Sequence, residues 1–303
     1  MIKAKQEILL LVVLLLLVAA AGCKAPPEGE ETVAKEEVVE VVKVSIQPRY
    51  SLSIMSKKYS PIIDYLSKET GYKIRLVSAL SYSYSSYFHT LEANQVDIAF
   101  QNPLAYVILR KTRGAYPLVK VKMLSTDKAE YRGMIITHKE SGIEEIEELT
   151  EKKVAVASRR ALCGYLGQAR LCRENSIDVE KELSVVLMRT QDDVILSVYR
   201  QNVDAGFVRE DALSEVEDAL PEVKERIHKF GYTDYFPTWC VTAFRNTRPE
   251  VAEKIKKALL KLDVKIPKQR DILEAMGVAG FTEAFDLDYE PIRKIMKELD
   301  IPY

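Results

Sequence analysis

The sequence predicts an α/β protein of two lobes, built on mostly parallel sheets and joined by a hinge that the chain crosses twice. Three observations predict it. From Lys43 onward, short apolar runs alternate with amphipathic stretches, the pattern of consecutive βα units. The run Leu91 to Tyr106, LEANQVDIAFQNPLAY, reads as a helix end, a buried strand over Val96 to Phe100, and a Gln101-Asn102-Pro103 break that opens the next helix. A second strand-to-helix turn of the same kind recurs at Arg200 to Asp211, RQNVDAGFVRED. Ligands of open α/β sheets sit where strands end and helix N-termini offer free N–H groups, so two such turns predict two lobes facing one cleft.

In chain order, residues 1–23 read as a targeting segment. Lys3 and Lys5 supply the positive start, Ile8 to Val18 the apolar run, and Ala19-Ala20-Ala21-Gly22 the small residues before Cys23. The apolar run is shorter than the roughly 20 residues a spanning helix needs. Its ending resembles a lipobox, in which the cysteine is lipidated and becomes the new N-terminus; Ala20 stands where Leu is commoner. Residues 24–42 follow with Pro26, Pro27, Gly29 and six glutamates between Glu28 and Glu40. Such a segment buries too little apolar surface to offset its ordering entropy and reads as an acidic tether.

The first part of lobe one is expected over 43–128. It comprises a strand at Val44-Ser45-Ile46, a helix from about Ser56 to Thr70 with Gly71 as its cap, and a strand Lys73 to Val77. A segment crowded with hydroxyls and aromatic rings, Ser78 to Phe88, precedes the Val96 strand. A helix over Leu104 to Lys111 and a strand Leu118 to Leu124 complete this part. Lobe two is expected over 129–238, with a helix at Ile143 to Leu149, strands at Lys153 to Ala157, Leu183 to Met188 and Val203 to Val208, and helices from about Leu162 to Glu174 and from Asp192 to Gln201. Pro237 to Phe244 reads as a return strand, and 239–303 as the return part of lobe one, with helices at Pro249 to Leu262, Pro267 to Met276 and Glu290 to Leu299. Two crossings make a hinge of the sort that closes on a ligand.

Composition excludes several classes. At 303 residues the chain suits two domains on a soft prior of roughly 150 residues each. Lys plus Arg number 44 against 45 for Asp plus Glu, so the strong basic excess of a nucleic-acid binder is missing. Cys23, Cys163, Cys172 and Cys240 are too few and scattered for a disulfide framework. His89, His138 and His228 lie far apart, and neither a metal-ligand pair nor a Gly-rich phosphate loop occurs, so no metal or cofactor is expected.

Several motifs together resemble one family. They are Tyr59-Ser60-Pro61-Ile62-Ile63-Asp64-Tyr65-Leu66 with Gly71, Tyr84 ahead of Val96-Asp97-Ile98-Ala99, and Asn102-Pro103-Leu104-Ala105-Tyr106. Val203-Asp204-Ala205-Gly206 and Asp288-Tyr289-Glu290-Pro291-Ile292-Arg293 complete the set. In order and spacing these are similar to the phosphate/phosphite/phosphonate-binding lipoproteins of ABC transporters, over roughly Lys43 to Lys297. The resemblance implies a type II periplasmic-binding-protein fold, a small-molecule anion or zwitterion gripped between the lobes, delivery to an ABC permease and its ATPase, and attachment to the membrane through the N-terminal lipid. Family members that hold a phosphonate usually carry Ser-Thr-Ser-Gly at the start of the first long helix of lobe two. Here that run falls on Ala161-Leu162-Cys163-Gly164. Losing three hydroxyl contacts at about 1 kcal/mol each weakens the case for phosphonate itself, while backbone donors and nearby arginines keep an oxyanion in view.

The expected ligand contacts follow. Ser158, Arg159, Arg160, Cys163 and Gly164 lie at the departing turn, with Arg49 and Arg209 as weaker cationic candidates. Tyr50, Tyr84 and Trp239 are aromatic candidates at strand ends or the return crossing, and Asn102 sits at the lobe-one turn. Asp97 reads as an acid that fixes its own turn; for Asp204 turn-fixing and ligand contact both stand. A thiol at a helix N-terminus can have a depressed pKa, so an enzyme using Cys163 is one alternative. A sensory lipoprotein that keeps the fold without transport is another.

Overall fold

The computed structural model describes residues 40–48, 51–79, 81 and 83–302. The expected signal, Cys23, nearly all of the tether and Tyr50 lie outside the described residues, as does Arg49. No helix among the described residues is long and apolar enough to cross a membrane.

Lobe one opens with β1 (Val41–Ile46), in which Val42, Val44 and Ile46 are buried. The strand begins inside the stretch expected to be tether, because Val41 and Val42 pair in parallel with Lys73 and Ile74. Helix α1 (Leu52–Thr70) buries Ile62 and Leu66, and Gly71 ends it at φ 76° with its N–H on the Ser67 carbonyl at 3.0 Å. Truncating a buried side chain of this kind to Ala costs about 2–5 kcal/mol. After β2 (Lys73–Val77), the hydroxyl-rich segment becomes α2 (Tyr84–Ala93), capped by the Ser83 hydroxyl on the Ser86 N–H. Then come β3 (Ile98–Gln101), α3 (Pro103–Arg113) and β4 (Tyr116–Met123).

The first crossing carries the two-residue strand β5 (Glu130–Tyr131). Lobe two contains β6 (Gly133–His138), β7 (Lys153–Val156), a π-turn over Leu162–Leu166 that runs into α4 (Gly167–Glu174), α5 (Val179–Glu182) and β8 (Ser184–Leu187). It continues through α6 (Gln191–Tyr199), β9 (Ala205–Arg209), α7 (Glu210–Ala219), α8 (Glu222–Arg226) and β10 (Ile227–Phe230). The expected helix at Ile143 to Leu149 is only a 3-10 turn over Ile146–Leu149. The chain returns through β11 (Phe236–Pro237) to β12 (Cys240–Ala243), α9 (Pro249–Leu260), α10 (Pro267–Met276), β13 (Val278–Glu283) and α11 (Glu290–Glu298).

The lobes thus have a six-stranded sheet in the order β13-β4-β12-β3-β1-β2 and a five-stranded sheet in the order β10-β6-β9-β7-β8. The two crossings pair with each other as the ribbon β11-β5. The two-lobed α/β architecture agrees with the sequence reading, but the sheets are mixed rather than mostly parallel. The pairs β1-β2, β1-β3, β7-β8 and β7-β9 are parallel; β12 and β6, which carry the chain across the hinge, run antiparallel to their neighbours.

Strand β13 has no counterpart in the sequence reading. Its alternation is broken at Gly280, where the ladder with β4 shifts register and a Cβ would fall 2.8 Å from the Leu262 carbonyl. The last helix, α11, packs on α3 of lobe one and α4 of lobe two. Arg170 of α4 pairs with Glu298 of α11 at 2.7 Å and with Asp234 of the return crossing at 2.9 Å.

Candidate ligand cleft between the lobes

Three strand-to-helix turns converge on a cavity of about 340 Å³: Asn102 before α3, Ser158 to Gly164 before α4, and Thr190 before α6. Each helix N-terminus carries a partial positive charge of roughly half a unit, so the cavity favours an anion before any side chain is considered. The lining supplies Arg160, Arg189 and Arg209 and no carboxylate.

At the lobe-one turn, Asn102 Oδ1 accepts from the Ala105 N–H at 2.9 Å and caps α3, with Pro103 as the first helical residue. Its Nδ2 donates to the Tyr84 hydroxyl at 2.7 Å, and its own N–H donates to Gln47 Oε1 at 3.0 Å. Burial pushes the Tyr84 phenol up, against the pull of Asn102, Gln47 and Arg160, so it remains a neutral hydroxyl. This turn is internally satisfied.

The lobe-two turn is not. Ala161 provides no side-chain cap, and the first helical turn is wound as a π-turn with Cys163 at φ −102° and ψ 24°. Leu162, Cys163 and Gly164 are buried, yet among the described residues none supplies an acceptor to their N–H groups. Buried donors of this kind are nearly always paired in folded proteins, so a run of them at a cavity wall points to an acceptor from outside the chain. Gln168 holds the turn in place: its Nε2 donates to the carbonyls of Cys163 at 3.2 Å, Met134 at 3.1 Å and Val208 at 3.1 Å. That packing requires Gly133, where a Cβ would lie 2.4 Å from Gln168 Nε2 and 2.9 Å from the Cys163 carbonyl.

Arg160 reaches across the cleft and places its guanidinium 5.3 Å from the centroid of the Tyr84 ring. Neither Arg160 nor Arg189 makes an ion pair among the described residues, so their charge is available to a ligand. Arg209 is held differently. Its Nε and Nη2 donate to Asp211 at 3.0 and 2.8 Å, its N–H donates to Gln191 Oε1 at 2.9 Å, and Tyr131 flanks the guanidinium at 6.0 Å. Burial works to lower the Arg209 pKa, but Asp211 and Tyr131 outweigh it and the group is held above its ordinary value.

Of the sequence-derived candidates, the cavity gathers Asn102, Ser158, Arg160, Cys163, Gly164 and Trp239, with Tyr84 bonded to Asn102 behind its wall. Two are corrected. Arg159 turns away from the cleft, where Glu180 takes its Nε at 2.7 Å and its Nη2 at 3.1 Å. Adjacent side chains at a turn point in different directions, and only Arg160 faces inward. Asp204 precedes β9, at the end of the strand away from Arg209, and accepts the Lys153 N–H at 2.7 Å. Asp97 accepts the Lys43 N–H at 2.8 Å in the matching place of lobe one, so both acids fix strand ends. The low thiol pKa on which the enzyme alternative rests is not found at Cys163: burial pushes it well above the ordinary value, with Arg209 pulling the other way. Arg189, Gln191, Gln168 and Tyr131 were not singled out from sequence; the polar Thr190-Gln191 start of α6 was the one local signal.

Residues 44–289 match the model of the family described as the periplasmic substrate-binding protein of phosphonate ABC transporters. The chain belongs to that family. The phosphate-import protein PhnD of Mycolicibacterium smegmatis is 24% identical over 295 residues, 90% of each chain. PhnD1 from Prochlorococcus marinus, solved in complex with methylphosphonate, superposes with a TM-score of 0.71 at 16% identity, covering 86% of this chain and 98% of that one. A binding-protein component of an ABC phosphonate transporter from Pseudomonas aeruginosa gives 0.66 at 18% identity, covering 84% and 85%. These structures support the two-lobed fold. Members of the phosphonate-binding family bind a small molecule outside the cytoplasm as the substrate-binding component of an ABC transporter, with a permease and an ATPase as partners, and are not enzymes, so a catalytic Cys163 is set aside.

Proposed function

We propose that this protein captures a small phosphoryl-type oxyanion, or a zwitterion bearing one, in the interlobe cleft and hands it to its ABC permease while anchored to the membrane through a lipid on Cys23. The observation that carries the ligand class is the uncapped lobe-two turn, with buried N–H groups that have no acceptor among the described residues and Arg160 and Arg189 beside them. Oxyanions suit this arrangement because their several oxygens accept backbone and guanidinium N–H bonds at once. The phosphate-import relative and the methylphosphonate-bound neighbour support the same class. Loss of the family hydroxyls at Ala161, Leu162 and Cys163 leaves coordination to the backbone and the arginines. Closure of the hinge ribbon over the ligand then supplies the form that docks on the permease.

A thermal-shift screen of phosphate, phosphite, methylphosphonate, sulfonates, carboxylates and betaines tests the reading. A ligand at a hundred times its Kd adds about 2.7 kcal/mol. Stabilisation by carboxylates or betaines alone would overturn the phosphoryl assignment. For the anchor, Cys23→Ala is expected to move the protein from the membrane to the soluble fraction, and continued retention would count against lipidation.

A further inference from the structure

A second interlobe chamber of about 470 Å³ adjoins the anion chamber. Tyr131, Thr190, Gln191, Arg209 and Trp239 line both, so the two chambers meet at a neck formed by these residues. Beyond the neck the chemistry changes. Lobe one supplies Phe100, Val121, Met123, Met276 and Val278, with Tyr59 and Lys58 beside them, while the carboxylates of Asp192, Asp211 and Glu215 stand on the lobe-two side. Asp211 is already paired with Arg209.

We propose, building on the anion-cleft reading, that the ligand is an organic oxyanion with a bulky apolar substituent. The anionic head lies at the lobe-two turn, and the substituent passes Trp239 and fills the second chamber. Trp239, Met123 and Met276 set the specificity. Cavities of a few hundred cubic ångströms with apolar walls and a few placed polar groups match ligands much larger than a single tetrahedral anion. An inorganic anion would leave the apolar wall of lobe one facing water, whereas each methylene buried there raises affinity roughly fourfold. Two methionines in the wall suit a substituent of irregular shape, because the thioether side chain repacks easily.

Calorimetric titration of the full-length chain with inorganic phosphate, methylphosphonate and phenylphosphonate tests this. Phenylphosphonate is expected to bind at least tenfold more tightly than methylphosphonate, and Met276→Trp, which fills only the second chamber, to abolish that difference while phosphate affinity stays within twofold. Equal affinity for all three ligands, or a phenyl preference that survives Met276→Trp, overturns the proposal and leaves the anion reading intact. If none of the three binds, the anion reading fails and this inference falls with it. Should Met276→Trp not fold, the ratio of affinities in the unaltered chain still decides.

Discussion

Asn102 and the Ser158 to Gly164 segment occupy facing turns of the two lobes. Asn102 caps its helix, receives no help from outside, and holds Tyr84 through its amide. Across the cleft, Ala161 caps nothing, the helix starts as a π-turn, and the buried N–H groups of Leu162 to Gly164 have no acceptor among the described residues. The first turn is closed by its own side chains and shapes the wall; the second is open and able to bind. A helix N-terminus therefore says little about ligand binding until its cap is examined.

The comparison can be broken or sharpened in four ways. Arg160→Ala is expected to have the largest effect, because a charge-assisted bond contributes about 1.5–3 kcal/mol, or roughly 10–150-fold in oxyanion affinity. Arg159→Ala, whose side chain is engaged by Glu180, should leave calorimetric affinity unchanged; if the two variants behave alike, the orientation of the turn is wrong. Next, Gly133→Ala forces Gln168 and the Cys163 carbonyl apart and is expected to lower stability by about 1–3 kcal/mol in denaturant titration. Removal of the lobe-one cap in Asn102→Ala should cost about 1 kcal/mol of stability, read as a lower Tm, with a smaller change in affinity. A larger loss of binding than of stability would make Asn102 a ligand contact. The smallest effect is a gain: Cys163→Ser restores a hydroxyl at the open turn and is expected to tighten phosphate binding by about 1 kcal/mol, roughly fivefold. No gain would show that the π-turn aims this side chain away from the anion.

Much of the architecture was legible from periodicity. The helix at Leu52–Thr70 with its Gly71 cap, the strand before Asn102, and the terminal helix at Glu290 all carry strong local signals, since apolar spacing and capping residues act within a few positions. Strand β13 escaped because Gly280 interrupts its alternation, and the short turn at Ile146–Leu149 resembled a longer helix because its apolar residues have helical spacing. At the site, Asn102, Ser158, Arg160, Cys163, Gly164 and Trp239 were nominated from their place at strand ends, and the structure brings them to one cavity.

By itself the sequence determined the two-lobed α/β plan and the doubly crossed hinge, because these reside in local pattern. Only the tertiary structure decided that Arg160 and not Arg159 enters the cleft, that Asp204 fixes a strand end, and that Gln168 and Gly133 hold the open turn. Which way a side chain points at a turn, and whether a backbone N–H finds an acceptor, depends on partners far away in sequence. Met134 and Val208, the more distant acceptors of Gln168, come from two other strands of the lobe-two sheet.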